Sequence, residues 1–164
     1  MRTFLLLTIL AGSAAAADLA DLAWIEGEWQ GYSIMGDKSN LNHKWFVREM
    51  GGTYLVERTV AVFPPAEPTT EYETHQDQCW YYAMGDEVRM KGFFVEGFVS
   101  SGTVSISGDT LTVLSTAVEG GPPSMRTRLR YVRMGEDRMI GDFEIDWNGD
   151  GFRPSSTYEF RRLR

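Results

Sequence analysis

The sequence predicts an all-β protein: a closed antiparallel up-and-down β-barrel of about ten strands, preceded by a short N-terminal helical turn. Apolar and polar residues alternate along most of the chain, as they do in strands with one buried face. Glycine-rich turns such as Gly51-Gly52 and Gly108-Asp109 separate these segments and are typical of hairpins. No later segment carries a long helical periodicity. A meander of hairpins removes its exposed edges by closing into a barrel.

The N-terminus has the pattern of a signal peptide, which we expect to span residues 1–17. Met1-Arg2-Thr3 supplies a positive start, Phe4 to Leu10 is a short apolar core, and Ala15-Ala16-Ala17 offers small residues for cleavage. The remaining residues 18–164 are expected to form one domain. The protein is therefore predicted to be periplasmic or secreted.

Charge and cysteine content restrict the partners of this domain. The formal net charge of −7 disfavours nucleic acid and anionic lipid surfaces. The apolar run at the N-terminus is too short to span a membrane, so no membrane span is expected. Cys79 is the only cysteine, so the domain has no internal disulfide and depends on its hydrophobic core. Monomer and dimer both stay open.

The predicted elements follow one another with short connections. Leu19 and Leu22 share one side of a helical turn over residues 17–25. The alternating segments predict strands near residues 28–35, 41–50, 53–63, 70–84, 87–96, 98–107, 110–119, 124–134, 138–147 and 152–163. Tight turns alternate with looser links, so one end of the barrel should be tight and the other rich in loops. This parity depends on a turn at Gly97.

Charge pairing predicts the register of the hairpin around residues 135–137. In this register three arginines each face a carboxylate on the next strand: Arg126 with Asp146, Arg128 with Glu144, and Arg130 with Asp142. Three such pairs in a row indicate a solvated outer face. The alternate residues, which include Tyr131, Phe143 and Trp147, should then face the interior.

Apolarity predicts the orientation of two further hairpins. At Gly51-Gly52 the register sets Trp45 opposite Arg58 and His43 opposite Val60. This is the more apolar face of the pair, so we expect it inside the barrel. At Gly85-Asp86 the same reasoning places Cys79 and Tyr81 inside.

Both ends of the domain resemble the calycin signature of lipocalin-like barrels. The residues that carry the resemblance are Leu22-x-Trp24-x-x-Gly27-x-Trp29-x-Gly31 and Tyr158-x-Phe160-Arg161-Arg162. The domain resembles bacterial lipocalin-like proteins of unknown function and is more distantly similar to nitrobindin-type and fatty-acid-binding barrels. The resemblance implies structural roles for Gly27 and Trp29 at the closed base, crossed by Arg161 or Arg162.

Haem is not expected, although nitrobindin-type barrels bind it. Those proteins share a histidine ligand late in the chain, whereas the histidines here, His43 and His75, are both early. We therefore expect no cofactor.

The predicted function is that of an exported carrier or binding protein for a small hydrophobic or amphipathic molecule inside the barrel. Arg58 is expected to hold an anionic headgroup by a charge-assisted hydrogen bond. The predicted ligand-binding residues are His43, Trp45, Arg58, Tyr81, Tyr131, Phe143, Trp147 and Tyr158. One alternative is a small enzyme using His75 and Asp77 for acid–base chemistry at the barrel mouth, and another is a filled barrel with a structural or interaction role.

A calcium-loop pattern competes with these interpretations. Asp146, Asn148 and Asp150 occupy the first ligand positions of the motif D-x-N-x-D-G. Thr157 stands where the last carboxylate is expected, and strands rather than helices flank the segment. The same residues suit a hairpin turn, so no metal is assigned and calcium stays an alternative.

Overall fold

The protein is a closed barrel of ten antiparallel strands in a computed structural model, which describes residues 18–65 and 71–164. Each strand pairs with its neighbours in the chain, and the last strand pairs with the first. The strands are β1 (Gly27–Met35), β2 (Lys38–Glu49), β3 (Tyr54–Phe63), β4 (Glu73–Met84), β5 (Glu87–Phe93), β6 (Val99–Ser107), β7 (Thr110–Glu119), β8 (Arg126–Arg133), β9 (Arg138–Asp146) and β10 (Arg153–Arg162). The predicted fold class is confirmed. The predicted signal peptide, residues 1–17, lies outside the described residues.

A 3-10 helix, Leu19–Ile25, precedes the barrel where a helical turn was predicted. Asp18 caps it by accepting a hydrogen bond from the Ala20 amide, and Asp21 bonds back to the Asp18 amide. Within the described residues, no helix is long and apolar enough to cross a membrane.

The two ends of the barrel differ as predicted. Gly97 lies in the turn between β5 and β6, where its amide bonds to the Phe94 carbonyl at 2.9 Å. All later turns therefore keep their expected ends. A short 3-10 turn, Met50–Gly52, connects β2 and β3 at the tight end. The opposite end carries the longer loops.

The tight end is closed by the N-terminal helix and an arginine over a tryptophan. Trp29 is fully buried, and its indole nitrogen donates to the Ile25 carbonyl at 2.7 Å. The Arg162 guanidinium lies 4.3 Å from the centre of the indole ring and donates to the carbonyls of Trp24 and Glu26. Gly27 has a φ of +112°, which residues with a side chain rarely adopt, and a Cβ there would also lie 2.8 Å from the same guanidinium, so this position favours glycine.

Arg162 rather than Arg161 therefore crosses the base. Strand alternation turns Phe160 and Arg162 to the inner side and leaves Arg161 exposed on the outer face. Of the residues predicted to have structural roles, Gly27, Trp29 and Arg162 come together, and Arg161 does not join them.

The charged outer face of β8 and β9 has the predicted register. Arg128 pairs with Glu144 at 2.6 Å and Arg130 with Asp142 at 2.8 Å, and Arg126 pairs with Asp146. The Asp146 side chain is inaccessible to solvent although it lies on the outer face, where it pairs with Arg126 and accepts the Gly149 amide.

The predicted inward placement of His43, Trp45 and Arg58 is wrong, although the β2–β3 register is as predicted. Residues directly opposite each other in neighbouring strands share a face. Lys44 pairs with the buried Trp29, so Lys44 faces inward and its sequence neighbours face outward. The inner face of β2 and β3 is more polar than the outer face. It can lie inside the barrel because its polar groups form hydrogen bonds with one another.

Candidate functional site: the barrel cavity

A cavity of about 420 Å³ occupies the loop-rich half of the barrel, whereas side chains fill the tight half. Tyr131 lines the cavity and packs against Phe46 and Phe160 of the filled half. Met35 and Trp147, which are partly exposed, line the end of the cavity nearest the loops. The walls are largely apolar and include Phe63, Met90, Phe94, Phe98, Val113, Val118, Met125, Leu129, Phe143 and Ile145. Pockets of this size and polarity accept small molecules.

A buried ion pair stands at the floor of the cavity. The Lys44 ammonium donates to a carboxylate oxygen of Glu57 at 2.5 Å and to the Thr59 hydroxyl at 2.7 Å. The hydroxyls of Tyr81 and Tyr131 donate to Glu57 at 2.6 Å and 3.2 Å. Thr59 also donates to it at 3.3 Å, so the carboxylate accepts hydrogen bonds from four residues on four strands.

The network keeps both members of the pair charged. Burial alone would raise the pKa of Glu57, but the Lys44 charge and the hydrogen bonds from Lys44, Tyr81 and Tyr131 bring this pKa below its ordinary value. Burial would lower the pKa of Lys44, but the Glu57 charge raises it above its ordinary value. The floor is therefore electrically neutral as a unit and its carboxylate is saturated with donors.

Smaller polar groups line the walls above the floor. Ser33 donates to the Asn40 side chain at 2.6 Å, and Asn42 donates to the Ser33 hydroxyl at 3.1 Å. On the neighbouring strand β10, where Tyr158 pairs with Ser33, the Ser156 hydroxyl donates to the Tyr158 hydroxyl at 2.9 Å. Because that contact uses the Tyr158 oxygen as acceptor, the Tyr158 hydrogen stays available to a ligand.

His75 lies at the mouth of the cavity and is held by two carboxylates. One ring nitrogen lies 2.7 Å from Glu73 and the other 3.1 Å from Glu96. The hydrogen bond to Glu73 raises the pKa of His75. An imidazole with both nitrogens occupied in this way is stabilised as a cation and has no free lone pair to act as a base.

Asp77 lies one position deeper on the inner face of β4. It accepts a hydrogen bond from the Val95 amide at 3.3 Å, and burial raises its pKa. Asp77 and His75, the residues of the enzymatic alternative, therefore both line the cavity, with only Asp77 available to a ligand.

The predicted ligand-binding residues divide into two groups. Those that line the cavity are Tyr81, Tyr131, Phe143, Trp147 and Tyr158; their contact with a ligand stays a prediction. The other three lie on the outer face. The His43 ring has a nitrogen 2.6 Å from a Glu28 carboxylate oxygen and stacks on Trp45, and Arg58 pairs with Glu49 at 2.5 Å. Arg58 therefore cannot be an anchor inside the barrel.

Trp45 and Arg58 line a separate groove of about 670 Å³ on the outer surface. Val47, Val60, Phe93 and Val95 also line it. The groove and the cavity share three lining residues: Thr59, Asp77 and Phe94.

The two carboxylates of the calcium-loop pattern, Asp146 and Asp150, form ion pairs with arginines of this chain. Asp146 pairs with Arg126 and accepts the Gly149 amide at 2.7 Å, and Asp150 pairs with Arg153 at 2.7 Å. Over residues 18–65 and 71–164, no cluster of three or more histidine, cysteine, aspartate or glutamate side chains is placed to hold a metal ion. Asn148 lies in the exposed turn between β9 and β10.

Sequence reasoning missed the polar floor. Lys44, Glu57 and Thr59 were not among the predicted site residues, and neither was Ser100 in the wall. The hairpin at Gly36 could have revealed the inward lysine. Its register begins with Met35 opposite Lys38 and, continued along both strands, sets Trp29 opposite Lys44. The inward Trp29 thereby fixes the inner face of β2.

Known structures share the fold but no sequence family is identified. No protein-family model and no curated protein matches the chain. The chain is similar to the crystal structure of Rv2717c from M. tuberculosis, with a TM-score of 0.66 and 15% identity over 91% of this chain and 99% of the other. It is also similar to a de novo designed fluorescence-activating β-barrel, with a TM-score of 0.43 and 14% identity over 87% of this chain and 98% of that one. The first likeness shows the small β-barrel fold alone.

Proposed function

We propose that the protein binds a small hydrophobic or amphipathic molecule inside its barrel. The observation that carries this proposal is the 420 Å³ cavity with apolar walls and a polar floor. A barrel that served only as a scaffold would gain stability by filling this space, because an apolar void forfeits packing contacts. The predicted signal peptide adds the proposal that binding takes place in the periplasm or outside the cell.

The state of the titratable groups supports binding over acid–base catalysis. Glu57 is saturated with donors, and both nitrogens of His75 contact carboxylates. Asp77 alone does not provide a paired acid and base. The polar floor instead supplies orientation, since a ligand in an apolar cavity is aligned by a few fixed polar groups.

Octan-1-ol is a suitable probe because it is neutral and amphipathic. We expect isothermal titration calorimetry to show one molecule bound per barrel. The variant Leu129→Trp places a larger side chain on the cavity wall and should weaken binding by about tenfold, or about 1.4 kcal/mol, because it takes space and wall contacts from the ligand. Val47→Trp is the matched control, because Val47 lies on the outer face and lines the groove instead.

The two variants distinguish the cavity from the groove. If Val47→Trp loses binding and Leu129→Trp keeps it, the ligand lies outside the barrel and the proposal is wrong. Absence of binding in the unmodified protein, with octan-1-ol near its solubility limit, would also contradict it. Circular dichroism melting of each variant checks that the barrel is intact.

A further inference from the structure

Asp77 is a carboxylate in the cavity wall that lacks a cationic partner among the described residues. Its hydrogen bond is a long one from the Val95 amide, to one of its two oxygens. None of the ion pairs formed by residues 18–65 and 71–164 includes it. Half-buried charges are normally paired, so this carboxylate is an anomaly within the barrel.

The other charges that line the cavity do not neutralise Asp77. The Lys44 ammonium is paired with Glu57 at the floor. At the mouth, His75 lies between Glu73 and Glu96, which together outweigh its single charge. The interior is therefore acidic around Asp77. A ligand carboxylate would meet repulsion here, whereas a ligand cation would find an unpaired partner.

Ser100 is a second unsatisfied polar group in the same cavity. This residue is 2% exposed, lines the cavity and has no hydrogen-bond partner for its hydroxyl among the described residues. It pairs across the sheet with Gly92, and Gly92 pairs in turn with Cys79, two residues from Asp77. Ser100 and Asp77 therefore lie on the same side of the barrel, two strands apart, and the Phe94 ring covers Gly92 between those strands. Both can accept a hydrogen bond.

We propose that the ligand is an amphipathic amine, whose protonated nitrogen lies beside Asp77 while its apolar part occupies the cavity. This inference rests on the proposed function and specifies its ligand class. An ammonium supplies the positive charge and the hydrogen-bond donors that the Asp77 carboxylate lacks, and the Ser100 hydroxyl offers a second polar contact elsewhere in the same cavity. The Phe94 ring, which also lines the cavity, can contact the cation or its alkyl chain. The sequence-based expectation of an anionic headgroup on Arg58 is thereby replaced.

A series of three probes with the same chain tests the charge preference: octylamine, octan-1-ol and octanoate at pH 7.5. Calorimetric titration of the full protein should give affinities in the order amine, alcohol, acid. The amine should bind at least about tenfold more tightly than the alcohol, because a hydrogen bond to a charged group contributes more than one between neutral groups.

The variant Asp77→Asn keeps the shape of the side chain and removes its charge, so the affinity for the amine should fall to within about twofold of the affinity for the alcohol. Asp109→Asn is the matched control at the tight end, where Asp109 is exposed and does not line the cavity; it should preserve the preference.

The outcomes separate this inference from the proposed function. Octanoate binding as tightly as octylamine, or an amine preference that survives Asp77→Asn, overturns the inference while alcohol binding keeps the proposed function. Failure of all three probes to bind overturns both. A fall in alcohol affinity equal to the fall in amine affinity in Asp77→Asn also overturns the inference, because it shows a general change in the cavity rather than a lost charge contact.

Discussion

Lys44→Met tests whether the buried ion pair at the cavity floor stabilises the barrel. The substitution keeps the length and apolar contacts of the side chain but leaves Glu57 without its cation. Removing one member of a buried pair costs about 3–5 kcal/mol, because the other charge stays in a desolvated site. Glu57 retains the hydrogen bonds from Tyr81 and Tyr131, so we expect the lower end of this range.

Urea denaturation at pH 7 measures the loss in the free energy of unfolding. The double variant Lys44→Met/Glu57→Gln should lose less than the sum of the two single variants, because it leaves no unpaired charge. Arg128→Met is the control, since Arg128 pairs with Glu144 on the outer face and such pairs contribute about 0.2–1 kcal/mol. A loss below about 1 kcal/mol in Lys44→Met, or strict additivity in the double variant, would refute the reasoning.

The pH dependence of stability has a sign fixed by the same pair. The pKa of Glu57 is lowered on folding, so its contribution is present above its ordinary pKa and is lost as the pH falls through the folded value. The pKa of Lys44 is raised, so its contribution is present below its ordinary pKa and is lost as the pH rises through the folded value. Lys44→Met should flatten the acid limb of the stability profile, whereas an unchanged acid limb would show that Glu57 does not depend on Lys44.

Three further predictions concern other parts of the barrel. Trp29→Ala should cost about 3–5 kcal/mol in urea denaturation, because it removes the largest side chain of the packed base; a cost below about 1 kcal/mol would show that this base does not hold the barrel closed. The raised pKa of His75 implies a contribution that is present below its ordinary pKa and lost as the pH rises through the folded value. His75→Gln should thus lower the urea midpoint more at pH 5.5 than at pH 8.5, and equal losses would contradict this. Burial raises the pKa of the Cys79 thiol well above its ordinary range, so it should resist a thiol reagent in the native protein and react in urea; fast native labelling would show that the wall opens.

The order of the strands could be predicted from the sequence because it depends on local signals. Glycine turns indicated the positions of the hairpins. The three charge pairs between β8 and β9 indicated the register of these two strands and their outer face. Trp29 and Arg162 were brought together correctly because the number of turns determines which end of the barrel each strand reaches.

The inner face of β2 and β3 could not be predicted from apolarity. Trp45 and Val47 make the outer face look like a core, while Lys44 and Glu57 make the inner face look solvated. A lysine and a glutamate are buried at acceptable cost only when they meet each other and find further hydrogen bonds. Those further bonds come from Tyr81 on the neighbouring strand β4 and from Tyr131 on the distant strand β8, and no local pattern reveals the contact with Tyr131.

The position of a bound ligand tests the account most directly. An NMR measurement of nuclear Overhauser contacts can be made between octan-1-ol and methyl groups in the unmodified protein. The account predicts contacts to Val113, Leu129 and Ile145, which line the cavity. Contacts confined to Val47, Val60 and Val95 would place the ligand in the outer groove and contradict the claim that the barrel interior is the binding site.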